Sequence, residues 1–251
     1  MKMDKKTTII FIVSLILLIY TGDRLWIAFS EYKKADKIYE DIKKEVVEDI
    51  RTSDPGDARP AEKKENKHQP YKVDFKKLLE INPEVIAWVS IPGVNINYPV
   101  TQTDNNEYYL HHAYNKEESF AGSIFADYHN SKDFSNQNTI LYGHNMRNKS
   151  MFGSLSDISE NDEVIIYLPG SALEYQVLKK QVIDVTQKVY YQISFNEPNY
   201  FYFLKDAFSA TGINPTGNDR ILTLSTCSTT SNERLVVQCR LVERSELECY
   251  Q

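Results

Sequence analysis

Cysteine and glycine are both scarce in this 251-residue chain, with three of the first and nine of the second. Cys227, Cys239 and Cys249 cannot build a disulfide framework, and their odd number leaves at least one free thiol. No Cys-x-x-Cys pair occurs and the five histidines are not clustered, so no zinc or other metal site is expected. A basic excess is missing too. The net charge of −6 argues against a nucleic-acid partner, which calls for a basic stripe. Repeats, low-complexity tracts and a glycine-rich phosphate loop are absent. Aromatic residues, by contrast, are abundant: 17 Tyr and 11 Phe, as expected of a strand-rich domain with a substantial core. A chain of this length holds one sizeable domain with appendages, or two small ones.

Charge is also lacking over residues 7–20, "TTIIFIVSLILLIY", which follow Lys2, Lys5 and Lys6. Fourteen residues fall short of the roughly 20 that cross a bilayer as a helix. "LWIAF" (25–29) completes a span if Asp23 and Arg24 sit near the interface, with Arg24 snorkelling. The lysines favour a cytoplasmic N-terminus, and Trp26 suits the outer interface. A cleaved signal peptide competes with this anchor, since Ala28-Phe29-Ser30 loosely fits a small-x-small site. On either reading the remainder is exported. Residues 1–30 are thus assigned to a cytoplasmic tail and signal anchor, in a single-pass membrane protein with its folded part outside the cell.

Tyr32, Ala35, Tyr39, Ile42 and Val46 recur at three- and four-residue spacing, the narrow stripe of an amphipathic helix. It serves as a spacer or lies against the main domain. Residues 51–70 carry dense charge, two internal prolines and a Pro-Gly step, and read as a solvated linker, so 31–70 form a helix plus linker. Residues 71–251 form the folded part. A short helix is predicted over 73–82 with Asp74 as its N-cap. Strands are predicted at 85–91, 96–102, 122–127, 138–143, 162–168, 173–185, 220–226 and 234–242, and a helix at 197–210 interrupts the sixth and seventh of them. Eight short strands with turn signals between them make a closed barrel or a sandwich.

Within "RILTLSTC", Thr223, Ser225 and Cys227 share one strand face while Leu222 and Leu224 share the other. In the last strand Leu235, Val237, Cys239 and Leu241 form the apolar face, which makes Cys239 a buried small hydrophobe. Cys227 and Arg234 project from the opposite side, at the facing ends of two strands joined by a short loop. A nucleophilic cysteine needs a proton partner. His144, in "NTILYGHNM", ends a predicted strand and enters a loop, where functional side chains concentrate. His111, His112 and His129 lie in Tyr-rich or polar turns and read as structural or solvent-facing, but spacing alone does not separate His129 from His144.

"TLSTC", "ILYGHN" upstream and "ERLVV" opening the last strand resemble the Cys, His and Arg motifs of the sortases. The likeness runs from about Tyr71 to Val242 through "VIAWVSIPGVNINYPVTQ", "NNEYYL" and "GSIFAD", and the helix inserted before the cysteine strand resembles class B. The resemblance implies a mainly β fold, an eight-stranded closed barrel, and a membrane-anchored cysteine transpeptidase of Gram-positive cell surfaces. Such an enzyme cleaves a C-terminal sorting signal after Thr and passes the acyl group to an amine of the cell-wall precursor, with no cofactor. The implied roles are Cys227 as nucleophile, His144 as general acid and base, and Arg234 as donor to the substrate carbonyl or oxyanion. Leu110 matches a class B residue lining the pocket for the signal's proline. Thr186, Tyr190 and Tyr191 fall at comparable contact places, although the tyrosines read equally as packing residues. Ser225 and Thr226 suit a groove floor that hydrogen-bonds an extended peptide, against the plainer reading of strand residues facing water.

The chain departs from well-known class B members in having Ser228 and Thr229, where they carry acidic residues, and in a short loop to Arg234. This leaves the sorting motif open between NPxTN and SPxTG types, and makes Glu233 a candidate orienter of the arginine. An L,D-transpeptidase is disfavoured because no Ser-His-Gly-Cys signature occurs, and a papain-like protease because the cysteine follows the histidine. A pilin-polymerising sortase would carry a lid with an Asp-Pro motif; Asp54-Pro55 lacks the aromatic neighbour of such a lid and reads as linker. A non-catalytic anchored binding module is the remaining rival, and the intact Cys227, His144 and Arg234 speak against it.

Overall fold

Apolar residues run almost unbroken along "VIAWVSI", and every residue of the strand Val85–Ile91 is buried, as in a strand covered on both sides. The computed structural model of the protein describes residues 5–49, 71–227 and 232–246. The linker reading of 51–70, including Asp54-Pro55, falls outside them, as do Ser228, Thr229 and Cys249. In chain order the elements are α1 (Lys5–Val46), β1 (Val47–Asp49), β2 (Tyr71–Val73), α2 (Phe75–Ile81), β3 (Val85–Ile91), β4 (Ile96–Thr101), β5 (Ile124–Ala126), β6 (Asn138–His144), β7 (Glu163–Leu168), β8 (Ser171–Asp184), α3 (Asn199–Ala207), β9 (Ile221–Cys227) and β10 (Glu233–Glu246).

Eight strands close into a barrel in the order β10-β8-β7-β3-β4-β5-β6-β9, while β1 and β2 pair separately. Neighbours are antiparallel except β4/β5 and β6/β9, which run parallel. The expected mainly β, eight-stranded barrel is therefore present, with α3 between its sixth and seventh strands. A register with no connecting hairpin needs another lock. At the start of the β6/β9 pair Asn138 supplies it: Thr223 Oγ1 donates to Asn138 Oδ1 at 2.7 Å, and Asn138 Nδ2 donates to the Gln192 carbonyl at 2.9 Å.

Two apolar clusters fill the molecule. Inside the barrel Val100, Ile124, Leu141 and Ile166 meet Leu222, Leu224, Val237 and the fully buried Cys239. Outside it, Tyr200, Phe203 and Leu204 of α3 pack with Tyr190, Phe195, Ile221 and Val236. Each such side chain stabilises the fold by about 1.5–3 kcal/mol when fully buried. Asp74 caps α2 by accepting from the Lys77 N–H at 3.1 Å.

One unbroken helix, α1, joins the apolar segment to the barrel. Its hydrophobic residues from Ile9 to Phe29 are exposed, and the helix is long and apolar enough to cross a membrane. Past Ser30 the stripe read from the sequence turns inward. Ala35, Tyr39, Ile42 and Val46 are buried in the main cluster, and Tyr32 meets Phe120 edge-on with ring centroids 4.7 Å apart. Lys34 pairs with Glu117 at 3.7 Å, and the Asp74 N–H donates to the Val46 carbonyl at 2.8 Å.

Candidate active site

The parallel pairing of β6 with β9 sets His144 opposite Cys227, at the last rung of both strands. Neighbouring strands lie about 4.8 Å apart, and residues in register on a parallel pair project to the same face. Two residues back, Tyr142 stands opposite Ser225. The antiparallel pairing of β10 with β9 aligns Val236 with Ser225, and continuing that register by two residues brings Arg234 opposite Cys227. The join is fixed by the Leu235 N–H, which donates to Thr226 Oγ1 at 3.0 Å. Cys227, His144 and Arg234, distant in sequence, thus converge at one end of three adjacent strands.

Electrostatics leave the pair uncharged at rest. Burial pushes the Cys227 thiol up to about 11, with the Arg234 guanidinium and a Gly143 backbone hydrogen bond pulling the other way. Burial likewise lowers the His144 imidazole below its ordinary range; the Leu110 carbonyl partly offsets this and nearby His111 adds to it. Near neutral pH the site therefore holds a thiol and a neutral ring. The ring's tautomer follows from chemistry, because a carbonyl only accepts. His144 Nε2, 2.8 Å from the Leu110 carbonyl oxygen, carries the proton, and Nδ1 keeps the lone pair. Arg234 Nη1 donates to the carbonyl of Glu233 at 2.9 Å, so Glu233 meets the guanidinium through its backbone.

Of the other residues singled out from the sequence, Tyr191 lies at the site. It is half-buried, its hydroxyl is 3.2 Å from Ser225 Oγ, and its ring stacks near Tyr142. Thr186 is exposed in the turn after β8, its N–H and hydroxyl both donating to Asp184 Oδ1. Leu110 is half-buried at the end of the 3-10 turn Tyr108–Leu110. Tyr190 is turned away: 7% exposed, it packs beneath α3 and its hydroxyl donates to Asp206 Oδ2 at 3.0 Å. Ser225 and Thr226 are also not the open groove floor drawn from the sequence. Both are buried, Ser225 against Tyr191 and Thr226 accepting from the Leu235 N–H.

Sequence reasoning missed Tyr142 and its support. The Tyr142 hydroxyl donates to Asp127 Oδ2 at 3.0 Å, and Asn106 Nδ2 donates to the same oxygen at 2.8 Å. Burial, with Asp127 adding to it, raises the phenol and keeps it protonated. Two-residue periodicity from His144 would have found this tyrosine. His129 instead turns to Asp127, and His112 stacks on Tyr108, so neither belongs to the Cys227 cluster. Among the described residues no group of three or more His, Cys, Asp or Glu is arranged to hold a metal ion.

Comparison with known proteins agrees with this architecture. The family model for the Sortase domain matches residues 89–242. The sortase B of Listeria monocytogenes is 30% identical over 93% of this chain and 95% of its own length. The crystal structure of sortase B from Bacillus anthracis superposes with a TM-score of 0.68 at 29% identity, covering 86% of this chain and 99% of that one. A Staphylococcus aureus sortase B–substrate complex gives a TM-score of 0.63 at 29% identity, covering 67% of this chain and 84% of that one. The chain belongs to the sortase family of cell-surface enzymes and, within it, to the class B cysteine transpeptidases.

Proposed function

We propose that the protein cleaves a C-terminal sorting signal of NPxTN or SPxTG type after its Thr and transfers the new acyl group to an amine of a lipid-linked cell-wall precursor. The observation that carries this reading is the shared rung of His144 and Cys227 with Arg234 one strand away. The Cys227 sulfur attacks the Thr carbonyl carbon as a thiolate, and the carbonyl π electrons move to oxygen. Arg234 donates hydrogen bonds to that oxyanion; losing one such donor typically costs about 3–4 kcal/mol of transition-state stabilisation. Collapse expels the C-terminal peptide as an amine, which takes its proton from the His144 imidazolium and leaves a thioester. The incoming amine gives a proton back to His144, attacks the thioester and releases the thiol.

With burial opposing both charges, the thiolate and imidazolium coexist in a small minority of molecules, and this minority performs the first step. Leu110, Thr186 and Tyr191 are the groove contacts in this reading. Residues 1–30 anchor the enzyme with the N-terminus in the cytoplasm, and the barrel faces outward where tethered substrates arrive.

The test uses the full chain in detergent micelles with NPxTN, SPxTG and LPxTG peptides and candidate amines. The expected result is cleavage after Thr with an acyl mass adduct on Cys227, absent from Cys227→Ala. No adduct on the wild type with any peptide defeats the assignment.

A further inference from the structure

The bond that fixes the His144 ring ends on a turn that the N-terminal helix holds from behind. Tyr39 of α1 is 4% exposed, and its ring meets Tyr98 and Tyr114. Its hydroxyl donates to the Gly122 carbonyl at 2.6 Å and lies 3.1 Å from Ser123 Oγ. Ser123 is tied to the 3-10 turn in two ways. Its hydroxyl donates to the His112 carbonyl and its N–H to the Tyr109 carbonyl, both at 2.9 Å. Gly122 sits at φ +57°, and a Cβ added there would lie 2.6 Å from the Tyr109 oxygen and 2.7 Å from the Leu110 oxygen. That Leu110 oxygen accepts the His144 Nε2 proton. From the other side the turn is held by Tyr109, whose hydroxyl receives Asn82 Nδ2 at 2.8 Å and donates to Glu84 Oε2 at 2.6 Å.

We infer that Tyr39 and Gly122 are positioning residues for the acid–base histidine, setting the Leu110 carbonyl that fixes its tautomer and attitude. The inference rests on the reading of His144 as acid and base. Its physical content is small displacement: a shift of about 1 Å in a positioning group costs up to 100-fold in rate. A serine or alanine at position 122 meets two oxygens well inside contact distance and takes on a positive φ, so the turn must move. Removing the Tyr39 hydroxyl leaves the ring packed but takes away the bond that the Gly122 carbonyl accepts, loosening the Gly122–Ser123 segment on its α1 side. The titratable groups beside the imidazole are His111, on the same turn, and Cys227, on β9.

The experiment compares full-length Tyr39→Phe, Gly122→Ala and Ile42→Ala in detergent micelles. Ile42 is buried on the same face of α1, and its truncation weakens docking while sparing the hydroxyl. Transpeptidation kinetics are measured against pH, and the ring nitrogens of His144 are followed by NMR in the resting protein. Tyr39→Phe is expected to lower kcat about tenfold at unchanged KM and to move the histidine titration to lower pH, since the supporting Leu110 carbonyl is displaced. Gly122→Ala is expected to lower kcat about 100-fold. Ile42→Ala is expected to lower the melting temperature with little change in the histidine titration. The inference falls if Tyr39→Phe leaves both kcat and the His144 titration at wild-type values, or if Ile42→Ala shifts them equally. Should Gly122→Ala fail to fold, Tyr39→Phe decides alone. The NMR titration needs no turnover, so a wild type without an acyl adduct defeats the functional reading while the ring measurement still judges the positioning.

Discussion

Cys227 is expected to be a sluggish nucleophile toward small alkylating agents, and the delay is calculable. With the thiol pushed up to about 11, the thiolate fraction at pH 7.5 is about 0.03%, against about 9% for an ordinary cysteine near 8.5. That is a deficit of about 300-fold. A more basic thiolate is intrinsically more nucleophilic; with a Brønsted slope near 0.45 the 2.5-unit difference returns about 13-fold. Iodoacetamide should therefore modify Cys227 about 20-fold more slowly than a free cysteine at pH 7.5, with the rate still rising tenfold per pH unit through pH 9–10. The assay is stopped-time alkylation from pH 6 to 10.5, read by intact mass. Arg234→Ala removes the guanidinium that pulls the thiol down, so the midpoint should move higher still. Arg234→Lys keeps the charge and should move it less, while losing the planar fork that suits an oxyanion. A plateau at or below pH 8.5 refutes the argument that burial outweighs Arg234 at this sulfur.

Other consequences are simpler to read. Burial works to raise the Glu84 carboxyl, but the Tyr109 hydroxyl and the Lys116 ammonium outweigh it and hold it below the usual carboxylate range. A depressed folded value means stability present above about pH 4.3 and lost as pH falls through the folded value; Glu84→Gln should flatten the melting temperature against pH there. Asn138→Ala leaves Thr223 and the Gln192 carbonyl without their partner, and should destabilise by about 1–3 kcal/mol for each buried group stranded, measured by urea unfolding.

How far the sequence carried the fold depends on periodicity. β3 matches its predicted span, and the helix predicted over 73–82 shortens to Phe75–Ile81 because Val73 pairs with Val47 and Asp74 caps. β5 contracts to Ile124–Ala126 because Gly122 and Ser123 are committed to the turn beneath Tyr39. β10 runs on to Glu246, through exposed Glu243 and Arg244 that carry no apolar alternation. The three-residue strands β1 and β2 are too short for any periodic signal.

The site divides in the same way. Cys227, His144 and Arg234 were singled out by their match to the sortase motifs, since strand-end position alone did not separate His144 from His129, and only the barrel's strand order makes them neighbours. Tyr190 and Tyr191 are adjacent in a 3-10 turn and point to different places, α3 and Ser225, which no two- or four-residue spacing separates. Ser225 and Thr226 were legible as strand residues. Their burial was not. Tyr39 carried only the helical stripe, with nothing to indicate that its hydroxyl would reach Gly122 in the turn before β5.

The parallel ladder between β6 and β9 has seven rungs, with Asn138 opposite Ile221 at one end and His144 opposite Cys227 at the other. A slip of a single residue would separate sulfur and imidazole by about 3.3 Å and turn one of them to the opposite face. Insertions in the loops that connect β6 to β7 and α3 to β9 leave this register untouched, whereas one extra residue inside β6 or β9 unmakes the enzyme. Asn138, at the far end from any chemistry, is the peg that keeps the count.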